Sequence, residues 1–160
     1  MGEARKMTGK DFLNEYRKLK IRIKGKQDQI NELRESLGGL KAIRYDLDKV
    51  QASHSGDPML DGFVQIEEKS ESVAGDIVRL TELCDDILNR IGRMDTPVFM
   101  ELLTRRYIND QSFEQISVGM GYSYKSTLNY HGDALREFEA ANEDIKLMEK
   151  FGNIGNNKVL

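Results

Sequence analysis

An all-α protein, with a long antiparallel helical hairpin of coiled-coil type ahead of a pair of short helices joined by a tight turn, is the fold that this chain of 160 residues predicts. Three observations carry that expectation. Apolar residues recur at alternating three- and four-residue intervals over two long stretches, the spacing of a helical seam. Charged residues make up 32% of the chain, Pro occurs only twice and Trp not at all, so little breaks helices and little builds strands. Ser112 with Gln115, and then Ser123, stand as N-caps on either side of a Gly121-Tyr122-Ser123 break.

The first helix opens at Thr8, which has Asp11 three positions on as a capping partner. Phe12, Tyr16, Leu19, Ile23, Ile30, Leu33, Leu37 and Leu40 then keep a four-three rhythm broken only at Lys26. Gly38-Gly39 predicts a stop, and a loop is expected near 41–60, including "VQASHSGDPMLDG". A second seam follows through Phe63, Ile66, Ser70, Val73, Ile77, Leu80, Cys84, Ile87, Ile91 and Met94, in which Cys84 reads as a core thiol. Residues 1–49 hold 13 basic and 8 acidic side chains, and residues 50–94 hold 4 and 9. That opposition favours a fold-back hairpin over residues 8–94, with a parallel homodimer through either helix as the competing solution. The basic run "RKLKIRIKGK", residues 17–26, spreads its charges around the helix. It is expected to be a solvated face partly paired with the acidic second helix, with direct phosphate contact as the other reading.

Residues 95–139 form the second predicted domain. Thr96-Pro97 is a helix start, and Phe99, Leu102, Leu103 and Tyr107 make its inward face. Ser112 and Gln115 form a capping box ahead of Phe113, Ile116 and Met120, and Gly121 permits the turn. On the next helix Thr127, Tyr130, Ala134, Leu135 and Phe138 fall on one side, and Lys125, Asn129, Gly132 and Arg136 on the other. Asn can bond an adenine edge and Lys can reach guanine or phosphate, so the outward stripe suits a DNA major groove. Tyr124 and Ser126 flank that stripe, and Arg105 or Arg106 is expected to touch phosphate. This segment is nonetheless acidic, with 4 basic and 7 acidic residues, and Asp133 and Glu137 are expected to repel a phosphate backbone. Residues 140–160 read as a short helical extension and flexible tail.

The composition also narrows the function classes. Cys84, His54 and His131 have no metal-ligand spacing, no cofactor motif is present, and a lone cysteine forms no internal disulfide. His54, Ser55 and Asp57 crowd one polar segment without a nucleophile context and read as loop or helix cap. The chain is therefore not expected to be an enzyme. No apolar run long enough to span a membrane and no leader-like h-region occurs, which gives an expectation of a cytoplasmic protein.

"DTPVFMELLTRRYINDQSFEQISVGMGYSYKSTLNYHGDALREFE", residues 95–139, resembles region 4 of the sigma-70 family: a helix ending in "RRY", an "SFEQIS" helix, the "GYS" turn and a helix closing on "ALREF". From about Gly9 to Glu139 the chain is similar to small phage and prophage proteins of Gram-positive bacteria that join a helical segment to such a module. The resemblance implies a late-gene transcriptional regulator in a bacterial host cell. Its partners would be double-stranded DNA, through Tyr124, Lys125, Ser126, Asn129, Arg136, Arg105 and Arg106, or the RNA polymerase surface that sigma region 4 occupies. A homo-oligomer through the coiled-coil helices is a further implied state. The last helix departs from the family, which usually presents arginines there, in beginning Tyr124, Lys125, Ser126 and in having Leu128 where a basic residue is common, and nothing upstream resembles the polymerase-gripping region of a complete sigma factor. A coiled-coil scaffold that does not bind DNA, including a packaging component, is the alternative.

Overall fold

Thr8 and Asp11 cap the first helix reciprocally: Asp11 N donates to Thr8 Oγ1 at 3.1 Å and Thr8 N to Asp11 Oδ2 at 3.2 Å. The computed structural model describes residues 6–47 and 56–148, and its elements are all helical. They are α1 (Gly9–Leu47), α2 (Pro58–Ile91), α3 (Pro97–Leu103), α4 (Phe113–Met120) and α5 (Tyr124–Ala141). A π turn at Thr104–Ile108 extends α3, and a 3-10 turn at Glu143–Leu147 follows α5. None of the described helices is long and apolar enough to cross a membrane.

The expected stop at Gly38-Gly39 does not occur, since α1 continues to Leu47. A glycine ends a helix when it turns left-handed, and neither of these has a positive φ. Residues 41–47 and 58–60 are thus helical rather than loop. Asp57 Oδ1 accepts from Met59 N at 3.0 Å, so the residue caps α2. His54, Ser55 and the tail from 149 lie outside the described residues, as does the side chain of Leu40.

Two compact units divide the chain: Leu19–Thr81, and the described residues up to Lys18 and from Glu82 onward. Both long helices are cut by this division.

Within Leu19–Thr81, α1 and α2 pair in opposite directions. Leu37 meets Gly62, Gln29 Oε1 accepts from Lys69 Nζ at 3.0 Å, and Lys26 Nζ donates to Ser72 Oγ at 2.7 Å. Ile23, Ile30 and Val73 form the core, with Leu19, Ile66 and Leu80 packed against it. A fully buried aliphatic side chain contributes about 1.5–3 kcal/mol. The predicted α2 seam is wrong at two positions. Phe63 is 55% exposed and Ile77 44%, while their neighbours Gly62 and Asp76 are buried. The polar break at Lys26 explains the second: Lys26 Nζ reaches Asp76 Oδ2 at 2.6 Å and Arg22 Nη2 reaches Asp76 Oδ1 at 2.8 Å. A cation in one seam thus draws a carboxylate into the other.

The second unit is built around Leu13, Ile87, Leu102, Leu103, Ile116 and Phe138, each at most 1% exposed. The opening turns of α1 belong to it. Phe12 stacks on Phe138 with ring centroids 6.5 Å apart, and Gly9 N donates to Glu139 Oε1 at 2.7 Å. Arg90, itself buried, lies 5.0 Å from the Phe12 ring and pairs with Asp86 at 3.0 Å and Asp144 at 2.8 Å.

Candidate nucleic-acid interface

Local chemistry sets the geometry of α4 and α5. Ser112 and Gln115 cap α4 reciprocally, with Ser112 N donating to Gln115 Oε1 at 2.8 Å and Gln115 N to Ser112 Oγ at 3.2 Å. Gly121 adopts φ 73°, the left-handed conformation that lets the chain leave α4 without a Cβ penalty. Ser123 Oγ accepts from Ser126 N at 3.1 Å and starts α5 three residues later. Tyr122 and Tyr130 close the turn edge to face at 5.2 Å, and Tyr130 also meets Phe99 at 6.1 Å.

Helical periodicity then sorts α5 by face. Thr127, Ala134 and Phe138 are buried, while Tyr124, Lys125, Asn129 and Arg136 are exposed. Leu135, Tyr130 and Gly132 are half-buried. Lys125 and Asn129, four residues apart, share the outward face and carry the hydrogen-bonding heads best suited to base edges. Arg136 lies on the same face but pairs with Asp133 at 2.7 Å. Ser126 is half-buried and its Oγ accepts from Ser123 Oγ at 2.8 Å, so it belongs to the cap of α5.

The two arginines of the π turn are committed inside the unit. Arg105 binds Glu101 through Nε at 2.8 Å and Nη2 at 2.7 Å, and its Nη1 reaches Gln111 Oε1 at 3.3 Å. Arg106 Nη1 donates to the Gln111 carbonyl at 2.9 Å, and its guanidinium lies 4.3 Å from the Phe113 ring centroid.

Glu137 is not a free charge on the outward face. Its Oε1 accepts from Asp95 N at 2.8 Å and Thr96 N at 2.9 Å, capping the entry to α3, where the Thr96 side chain makes no cap bond. Hydrogen bonds from Thr96, and then from Asp95, hold its carboxyl below the usual carboxylate range. Glu139 is likewise bound to Gly9 N, and Asp110 accepts from Arg17 Nε at 3.1 Å. Glu137 and Glu139 thus hold backbone amides while remaining carboxylates, and Asp110 is paired with a cation. Glu137 keeps its negative charge and has, besides, a capping role that its position in the sequence did not announce.

Beside Leu128 of α5 lies a cleft of about 170 Å³, with Lys10, Asn14, Arg17 and Arg106 as its polar walls and Tyr107 with His131 at its side. Tyr107 Oη and His131 Nε2 share a 3.0 Å hydrogen bond. Burial raises the phenol to about 12, while burial, then Lys10 and Arg106, push the imidazole down to about 4. The pair is thus uncharged at neutral pH. Arg17 enters the sequence reading only within the basic run 17–26, and Lys10 and Asn14 are not among the expected site residues, although the four-three spacing of the three beside the apolar seam is a legible polar stripe. Among the described residues no group of three or more His, Cys, Asp and Glu is arranged to hold a metal. No family model, curated protein or solved structure matches the chain.

Proposed function

We propose that this protein is a phage-type, DNA-binding transcriptional regulator related to region 4 of sigma factors, with α5 entering the major groove. The observation that carries this reading is the outward face of α5, where Lys125 and Asn129 stand exposed one helical turn apart behind a serine-capped start. Asn129 reads an adenine edge, Lys125 a guanine or a phosphate, and Tyr124 supplies a flanking contact. Arg136 joins them by exchanging Asp133 for phosphate, which costs little because exposed ion pairs are worth at most about 1 kcal/mol. Arg105 and Arg106 act first on the fold of the π turn.

Selection from random duplexes across a salt series tests the reading. An enriched motif is expected, with affinity falling as salt rises. Asn129→Ala should relax base preference by about 1–3 kcal/mol at one position, and Lys125→Ala should weaken all sequences and lower the salt slope by roughly one. Unchanged affinity and selectivity in both variants would remove α5 as the reading helix.

A second reading, in which the same unit docks on protein such as RNA polymerase, is favoured by exposed apolar side chains. Val118 of α4 is 84% exposed and Leu128 of α5 40%. Val118→Asp should then abolish polymerase capture while leaving duplex binding intact; retained capture argues against this surface.

A further inference from the structure

We propose that the cleft beside Leu128 seats one phosphate oxyanion, held by Lys10, Asn14, Arg17 and Arg106, and that in the bound state this phosphate belongs to the DNA backbone next to the groove read by α5. The oxyanion site stands on the cleft itself; its backbone source rests on the DNA-binding reading above.

Three cations converge on a cavity of about 170 Å³. Two of them are already oriented. Arg17 spends its Nε–H on Asp110, and Arg106 donates Nη1 to the Gln111 carbonyl while lying over Phe113. A guanidinium has five N–H donors in a fixed fork, so each retains donors for a ligand and pays little ordering entropy when one arrives. Lys10, exposed and one turn before Asn14, adds a mobile third charge, and the Asn14 amide adds a neutral donor.

No carboxylate is among the residues that line the cleft. Asp110 accepts from Arg17 and Glu114 interacts with Arg106 through its charge, so three lining cations stand against two acids outside the lining. The Tyr107–His131 pair contributes no charge, and its hydrogen-bonding atoms lie along the wall. Position supplies the link to DNA. Leu128 precedes Asn129 on α5, so the cleft lies along the flank of the outward face. Phosphate contacts outside the reading helix fix register without reading sequence, which is the role open to a basic stripe on α1.

The test uses the full chain with isotope-labelled histidine and follows the His131 ring resonances. Two titrants are compared, inorganic phosphate and a mixed-sequence duplex, in wild type, Lys10→Gln and the double variant Lys10→Gln/Arg17→Gln, with folding checked by circular dichroism. The expected result is a saturable His131 shift with both titrants, lost in the double variant. Lys10→Gln alone should lower the log–log salt slope for the duplex by about one, and the double variant by about two. A shift with phosphate alone, lost in the double variant, supports the site with a free oxyanion as its source and counts against DNA. Duplex binding with an unmoved His131 and an unchanged slope in both variants overturns the cleft and leaves the DNA reading standing. No shift with either titrant overturns it outright.

Discussion

Asp76 is a carboxylate buried between α1 and α2, where Lys26 and Arg22 reach it at 2.6 and 2.8 Å. Burial by itself raises its pKa. The hydrogen bonds and charges of Lys26 and Arg22 more than reverse that, holding the carboxyl below its ordinary range. A depressed carboxyl stabilises the fold above its unfolded pKa of roughly 4, and the contribution is lost as pH falls through the folded value. Asp76→Asn should therefore cost about 2 kcal/mol at pH 7, because two cations lose a charged partner in a part-buried place. Denaturant unfolding of wild type and variant across pH checks this, and the gap between them should narrow as wild-type Asp76 becomes protonated. A gap that stays constant into acid would mean that shape rather than charge sets its role. The same pair fixes register, since sliding α2 by one residue would present Ile77 to Lys26.

At the scale of elements, glycines show how position decides meaning. Gly38 and Gly39 are helical and exposed, and a methyl group at either meets nothing within 4 Å. Gly38→Ala and Gly39→Ala should each stabilise the protein by about 0.5–1 kcal/mol. Gly121 also has open space around it, but its φ of 73° makes Gly121→Ala destabilising, by about 1 kcal/mol. Thermal unfolding should show opposite signs. Ser112→Ala removes one arm of the capping box that starts α4 and should cost about 1 kcal/mol. Both caps of the α4–α5 pair were legible because a cap is a contact between residues three apart.

For the whole molecule, the decisive arrangement is that the start of α1 completes the C-terminal unit. Phe12 against Phe138 and Arg90, Gly9 on Glu139, and Arg17 on Asp110 tie residues before Leu19 to residues after Thr81. Phe12→Ala should destabilise that unit by about 3–5 kcal/mol, the usual cost of emptying a buried phenylalanine site. Hydrogen exchange should show α4 and α5 amides losing protection more than those of Leu19–Thr81; equal loss in both would refute this division of the core. A chain begun at Leu19 is likewise expected to lose the cooperative melting of α3–α5, because Met7, Phe12, Leu13 and Tyr16 are buried there.

By itself the sequence determined the all-α class, the capped starts at Thr8, Ser112 and Ser123, the left-handed turn at Gly121, and the buried and exposed faces of α5. Each follows from contacts three or four residues apart, which periodicity records directly. Only the tertiary structure decided that Asp76 and not Ile77 enters the seam, that Glu137 and Glu139 turn inward to cap backbone amides, and that α1 lends Lys10, Asn14 and Arg17 to a cleft beside α5. Those outcomes join residues from about 40 to 130 positions apart, and they rest on where desolvated charges find partners. Pattern along the chain records which face of a helix is buried; it does not record what that face meets.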